Sequence, residues 1–281
     1  MGGSPSIFLP KAYNSAMTCA VTESYPAFTN SAEFYDDIYL ARGKDYQAEV
    51  EYLCRLIKAR KPSLGDSLLD VACGTGEHLR HFLTQADITA FGIDHCAEML
   101  AIAHRKLDGE PGVAVGTRGT GGSGRRGVIL QQAGMTDFAL GRTFDVITCL
   151  FASIAYLADV QTLRHAIRNM VRHLAPGGLL LLEPGLMPHQ LKAPMRDQTI
   201  CTIGDVEIRR TTTAQPRDNT LIIRFDFDIR THQGSREFSE EHVIRLFTPE
   251  NYEQSFIAAN LAVEYDSEGP GGRGLFIGTP A

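Results

Sequence analysis

The chain is predicted to be an α/β protein, with a doubly wound, seven-stranded, Rossmann-like sheet and a small antiparallel β insertion between strands five and six. Three observations carry this. Short apolar runs alternate with stretches of helical period between residues 68 and 183, the rhythm of βαβ units in a parallel sheet. The stretch SLLDVACGTGEHLRHF at 67–82 reads as a buried strand, a tight turn with Gly74 and Gly76, and a helix with Leu79, Phe82 and Leu83 on one face. Beyond Pro184 the apolar period changes to two, as in an antiparallel sheet.

The elements follow in order. Residues 1–24, rich in Gly, Ser, Pro and Thr, show no period and are expected to be mobile, with order from Tyr25. A capped helix is predicted from Ser31, a break at Gly43, and a second helix with Tyr46, Val50, Leu53 and Ile57 on one stripe, ended by Pro62. In folds that resemble this one such N-terminal helices lie over the mouth of the ligand pocket, which implies Tyr35 and Tyr39 as candidate ligand contacts as well as candidate core residues. After the strand 68–71 comes a second at 88–93, ending in Asp94, and a helix with Met99, Ile102 and Ala103 inward. Residues 108–127, dominated by glycine and carrying Arg118, Arg125 and Arg126, are expected to be a flexible surface loop.

Strands three and four are predicted at 128–130 and 144–151, the latter apolar enough to be covered on both faces. A helix with Leu163, Ile167, Met170 and Leu174 inward is closed by Pro176, Gly177 and Gly178, and strand five runs 179–183. Residues 199–213, 221–230 and 236–247 are predicted to form the antiparallel insertion, a lid spanning 185–247. Within it Ile223, Phe225, Phe227 and Ile229 share one face, and Arg224, Asp226, Asp228 and Arg230 the other. A helix from Pro249 and strands at 262–265 and 274–278 complete a core of 25–184 plus 248–281.

A strand, glycine turn and helix open a nucleotide-binding unit, because missing side chains let a ligand press on backbone and the helix start presents unpaired N–H groups. A dinucleotide site wants a third glycine three residues after Gly76; Leu79 stands there, which disfavours NAD. The spacing of Asp70, Ala72, Gly74 and Gly76 instead resembles the class I methyltransferases that use S-adenosylmethionine. Asp94, 24 residues beyond Asp70, sits where such folds hold a ribose hydroxyl pair, and it equally suits a helix N-cap. The resemblance implies Ala72 and Gly74 around the methionine moiety, Asp94 on the ribose, Met99 or Met135 beside the adenine, Phe151 beside the sulfonium and Arg42 on the cofactor carboxylate. Tyr35, Asp70, Cys73, His95, Gly134 and Leu150 complete the expected cofactor contacts.

Composition narrows the acceptor. With 281 residues, 43% hydrophobic, and a net charge of −6, the chain has an ordinary core and no electrostatic footprint for nucleic acid. Small molecules are favoured. The six cysteines (19, 54, 73, 96, 149 and 201) form no C-x-x-C pair and read as buried, reduced thiols. No apolar run approaches a membrane span and no signal pattern opens the chain, so a cytoplasmic protein is expected.

The stretches FYDDIYLARGKDY, LLDVACGTGEHLRHF, FDVITCLFASIAYL, HLAPGGLLLLEP, RLFTPENYEQSF and GPGGRGLFIG resemble a narrower family, the bacterial N,N-dimethyltransferases that finish the deoxyamino sugars of macrolide antibiotics on a TDP-linked 3-amino sugar. The resemblance implies a small amine acceptor, a homodimer, and Arg273 as a contact to acceptor phosphate. It departs at Gly185 and Leu186, where relatives carry a Trp pair, at Tyr156 and Arg224, where relatives often show His, and at Gly134, where they show an adenine-binding Asp. Direct displacement at a sulfonium asks the enzyme to align an uncharged amine and exclude water, and calls for no metal. Tyr156 or Glu183 is the candidate group to hydrogen-bond the amine and draw its proton, with Tyr25 nearby; Tyr39, Ser153, Arg224 and His242 are further candidate acceptor contacts. Other readings stay open: O-methylation, an amino acid or peptide amine as acceptor, or a non-catalytic relative that only binds the cofactor.

Overall fold

The computed structural model describes residues 24–25, 28–61, 67–85, 88–116, 127–191 and 195–281. In chain order the elements are β1 (Ser24–Tyr25), α1 (Tyr35–Ala41), α2 (Tyr46–Arg60), β2 (Ser67–Val71), α3 (Glu77–Gln85), β3 (Thr89–Asp94), α4 (Ala97–Asp108), β4 (Ala114–Gly116), β5 (Gly127–Gln132), β6 (Phe144–Cys149), α5 (Val160–Arg172), β7 (Leu174–Leu182), β8 (Met195–Ile203), β9 (Val206–Arg217), β10 (Thr220–Thr231), β11 (Gly234–Arg245), α6 (Pro249–Ile257), β12 (Leu261–Asp266) and β13 (Leu275–Pro280).

One sheet has eight strands in the order β12-β13-β7-β6-β2-β3-β5-β4, parallel except where β13 pairs antiparallel with β7 and β12. Side chains alternate across it. Leu68, Ala90, Val128 and Val146 face the layer of α2, α3 and α4, with Val50, Leu53, Phe82 and Ala103. Leu69, Phe91, Ile93 and Ile147 face the layer of α5 and α6, with Leu163, Ile167, Tyr252 and Phe256. Burial on both faces explains why these strands read as continuous apolar runs. Asp159 and Thr248 cap α5 and α6, each accepting a backbone N–H three residues on (2.8 and 3.3 Å).

The second sheet, β1-β11-β10-β9-β8, is antiparallel apart from β1, which runs parallel to β11. Phe227, Ile229 and Phe238 bury its inner face with Ile38 of α1.

Several expectations are corrected. The eighth strand, β4, lies inside the stretch read as a loop at 108–127; three residues pairing with β5 are too few to show a period. Residues 117–126, with the three arginines, lie outside the described residues, as do 1–23 and Pro62. The stretch 199–213 is two strands, because Gly204 and Asp205 turn the chain between β8 and β9. Strand four stops at Cys149, since Phe151 and Ala152 take left-handed φ values of 54° and 60°. Leu174 belongs to β7 and pairs with Phe144 ahead of an irregularity in the ladder, so α5 ends at Arg172. The backbone of Tyr25 pairs with β11 of the second sheet and not with the eight-stranded core sheet. The five described cysteines are free, and four of them are buried.

Candidate active site

The parallel pairing of β2 with β3 brings their carboxyl ends together, with Val71 beside Ile93. The turn after β2 therefore meets the acid that ends β3: the Gly74 N–H donates to one Asp94 oxygen at 2.8 Å, and the Cys96 N–H to the other at 2.8 Å. Asp94 is buried and oriented by both bonds; the N-cap of α4 is Cys96, with no side-chain capping bond, so the helix cap expected of Asp94 is not made. The turn is strained on purpose-built geometry: Ala72 holds φ +59°, which costs a non-glycine residue on the order of 1 kcal/mol or more. Gly74 sits at φ +55° with nothing within 4 Å of where a Cβ would stand. Open space against backbone, a carboxylate beside it and aromatic rings above fit a cofactor with a ribose diol and a cationic centre.

Asp70, Ala72, Cys73, Gly74, Tyr35, Leu150, Phe151 and Ser153 all line this hollow, as do Tyr46 and His78. Sequence reading missed the last two, whose place is set by α2 and α3 packing side by side. It also missed why Leu79 is tolerated where a dinucleotide site has glycine. Gly92 on β3 yields the space, since a Cβ there would meet Leu79 and Leu130 at 2.7 Å.

Asp70 accepts from the Thr148 hydroxyl at 2.7 Å, and burial lifts its carboxyl from 3.8 to about 6. With the folded value raised, its contribution favours the fold below pH 3.8 and is lost as the pH rises through about 6. Asp70→Asn is accordingly expected to be more stable than the native chain at pH 7.5, by up to about 2–3 kcal/mol. The gain should vanish toward pH 4. Denaturant melts of both proteins at the two pH values check this; an equal difference at both would contradict it.

A second, larger cavity of about 800 Å³ opens between the two sheets and shares Phe151 with the hollow. Tyr39, Arg42, Lys44, Arg210 and Arg273 line it. Lys44 lies 3.8 Å over the Phe151 ring and pairs with Glu49 at 2.6 Å, and burial lowers its pKa. Burial alone would raise the Glu49 carboxyl, but bonds from His78 and Lys44 outweigh it and hold it low.

Other predicted residues fall elsewhere. Arg42 pairs with Asp197 and donates to Thr199 at 2.7 Å, so β8 of the second sheet occupies the guanidinium expected on the cofactor carboxylate. Arg224 pairs with Asp226 at 2.8 Å on the outer face; its neighbours Ile223 and Phe225 line the cavity, and alternation sends the arginine away. Glu183 is fully buried, with one oxygen accepting from Arg273 at 2.8 Å and the other from the Phe151 N–H at 2.7 Å. Each of its oxygens therefore already accepts one hydrogen bond. Met99 packs with Ala32 and Cys96 under the N-terminal segment. Met135 is half-buried against the α5 layer, His95 is exposed beside Asp94, and Gly134 faces the Asp137 carboxylate, 2.8 Å from where a Cβ would stand. The Tyr156 hydroxyl and His242 Nδ1 share a hydrogen bond of 2.6 Å, and desolvation of the hydroxyl pushes the phenol pKa up although the residue as a whole is 39% exposed. His242 is itself buried between Phe28 and Phe225. The Tyr25 side chain lies outside the described residues.

Residues 68–178 match a family model described as a methyltransferase domain. The dTDP-3-amino-3,4,6-trideoxy-alpha-D-glucopyranose N,N-dimethyltransferase of Streptomyces venezuelae is 36% identical over 251 residues, which cover 89% of this chain and 98% of that protein. The dTDP-3-amino-3,6-dideoxy-alpha-D-glucopyranose N,N-dimethyltransferase of Streptomyces fradiae is 35% identical, covering 89% of this chain and 90% of that protein. Among solved structures, Streptomyces venezuelae DesVI superposes with a TM-score of 0.78 at 34% identity, over 90% of this chain and 99% of that one. S-adenosylmethionine-bound CalS10, an amino pentose methyltransferase from Micromonospora echinaspora, superposes at 0.75 with 31% identity, over 88% of this chain and 97% of that one.

Proposed function

This chain belongs to the family of S-adenosylmethionine-dependent N,N-dimethyltransferases of TDP-linked amino sugars, and from that premise we propose that it methylates the amine of a nucleotide-linked amino sugar. The observation that carries the reading is the Asp94 carboxylate bonded to the glycine turn beside a cavity that opens between the two sheets. S-adenosylmethionine, when bound, supplies an electrophilic methyl group on a sulfonium.

The residues divide the work. Asp94 offers carboxylate oxygens to a ribose diol, and the Gly74 turn receives the amino-acid end. Phe151 and Tyr35 place ring faces beside the hollow, which suits a cationic sulfur. Phe151 also lines the cavity in which the amine would approach, and aligning two reactants there is worth roughly 7–11 kcal/mol of barrier. Tyr156, 39% exposed and with its hydroxyl bonded to His242, is the group proposed to accept a hydrogen bond from the amine. The antiparallel sheet is proposed to act as a lid that excludes water.

Arg273, with its side chain 39% exposed at the cavity, is proposed to hold an acceptor phosphate while Glu183 steadies it. Arg273→Ala should raise the acceptor KM about tenfold, the loss of one charge-assisted contact, with a smaller change in kcat. An unchanged KM makes the residue structural. We further propose that the acceptor is small and not a nucleic acid, that the protein is a homodimer, and that it works in the cytoplasm. Among the described residues no helix is long and apolar enough to cross a membrane. Incubation of labelled cofactor with a panel of TDP-amino sugars, aminoglycosides, amino acids and hydroxylated analogues tests the function. Transfer to TDP-amino sugars, with products of one or two added methyl groups, is expected; transfer only to hydroxyls refutes it.

A further inference from the structure

The two ring nitrogens of the buried His242 meet different partners. Nδ1 shares the 2.6 Å hydrogen bond with the Tyr156 hydroxyl, while Nε2, buried without a hydrogen-bond partner, lies 3.6 Å from Glu240 Oε2. Glu240 and His242 stand two residues apart on β11 and so share a face of the strand. The Glu240 carboxylate is wholly buried and accepts from the N–H groups of Phe28, Asn30 and Ser31 at 3.3, 2.9 and 3.1 Å and from the Ser31 hydroxyl at 2.6 Å. Burial alone would raise its pKa, but the contacts with His242, Ser31 and Asn30 outweigh it and hold it low, so the group is ionised.

An ionised carboxylate only accepts. The imidazole nitrogen that faces it therefore carries the proton of the neutral ring, Nδ1 is bare, and the Tyr156 hydroxyl is the donor in the bond between them. The titratable and charged groups that face His242 are Tyr156 from the turn after β6, Glu240 from its own strand, Tyr35 and Tyr39 from α1 and Arg210 from β9, the last three lining one small cavity with it. Glu240 favours a charged imidazole and Arg210 opposes it, and Glu240 is the group at Nε2. The Tyr156 hydroxyl interacts electrostatically with Tyr35, which lines the cofactor hollow, and with Tyr39, which lines the larger cavity. It thus stands near the junction of the two spaces, where the amine is proposed to react.

We propose that His242, held in one tautomer by Glu240, receives the proton of the reacting amine through Tyr156. The relay deepens the reading that the acceptor is an amine and rests on it. Attack by the amine forms the N–C bond as the C–S bond breaks and leaves an ammonium. An ammonium N–H proton passes to the Tyr156 oxygen as the phenol proton passes to Nδ1, which leaves a neutral methylated amine, a neutral phenol and an imidazolium beside the Glu240 carboxylate. After product release the proton returns from Nδ1 to the Tyr156 oxygen, and the phenol proton leaves to water from this exposed side chain. Tyr156 is the catalytic residue; His242 and Glu240 act through it. A neutral amine is also what a second methyl transfer requires, so the relay bears on how many methyl groups are added.

NMR of the histidine ring nitrogens in the isotope-labelled full chain, without cofactor or acceptor, tests the tautomer apart from any methyl transfer, the His242 signals being those lost in His242→Gln. The neutral ring is expected to carry its proton on Nε2, with the bare Nδ1 signal moved by Tyr156→Phe. With a TDP-amino sugar as acceptor, Tyr156→Phe and His242→Gln should each lower kcat about 100-fold, the low end of what a positioned base contributes, with a much smaller change in KM. Glu240→Gln should move the acid limb of kcat/KM down by about one pH unit, because the imidazolium loses its counter-charge. At equal conversion the ratio of mono- to dimethylated product should rise several-fold in Tyr156→Phe. If Glu240→Gln does not fold, Tyr156→Phe and the tautomer carry the test. A proton on Nδ1 of the neutral ring, or native kcat in both Tyr156→Phe and His242→Gln, overturns the relay; a native midpoint in Glu240→Gln removes Glu240 from it. The expected tautomer, with no methylation of any TDP-amino sugar, supports the Glu240, His242 and Tyr156 chain and refutes the amine reading.

Discussion

Asp94→Ala is expected to weaken S-adenosylmethionine binding at least a hundredfold. The carboxylate is proposed to accept two hydrogen bonds from one diol, and bonds to a charged acceptor are worth about 1.5–3 kcal/mol each. The substitution also releases the Gly74 and Cys96 N–H groups, loosening the turn and the start of α4. Asp94→Asn separates the two effects: one amide oxygen remains to accept, and the fold should be kept while affinity falls by an intermediate factor. Titration of each variant with S-adenosylmethionine, beside its thermal melt, decides. Binding within threefold of native in a folded Asp94→Ala protein means that the cofactor sugar lies elsewhere.

Glu183→Ala should lower kcat/KM at least a hundredfold and destabilise the protein by about 2–4 kcal/mol, from a cavity and an orphaned backbone donor. Glu183 pins the Phe151 N–H just where the chain takes two successive left-handed residues, and it steadies Arg273, whose guanidinium also lies 4.7 Å over the Phe151 ring. Its removal is expected to disorder the wall that the hollow and the larger cavity share at Phe151. Glu183→Gln keeps an oxygen for the Phe151 N–H but turns an amide donor toward the Arg273 donors, so a smaller loss of both activity and stability is expected. The pH dependence separates positioning from base catalysis. With both oxygens already accepting, the acid limb of kcat/KM should keep its midpoint in Glu183→Gln; disappearance of that limb would make Glu183 the base.

Local periodicity and spacing determined the parallel sheet, its helix layers and the meeting of Asp94 with the Gly74 turn. A βαβ unit sets consecutive strands side by side with their carboxyl ends together, so residues 20 apart, from Gly74 to Asp94, are brought into contact by connectivity alone. The alternation along β10 likewise already placed Arg224 opposite Ile223 and Phe225, although its assignment to the acceptor ignored that pattern. The charged partners were not legible. Arg42 finds Asp197 and Arg273 finds Glu183 across 155 and 90 residues, and each guanidinium had several carboxylates within the same composition to choose from. Nor did anything in RRTTTA distinguish a buried Arg210 from its neighbour Arg209, since polar residues on both faces of β9 leave no period to read. Period records which face of an element is apolar; which charge is paired and which is left to meet a ligand depends on how the second sheet closes over the first, and that is settled only in three dimensions.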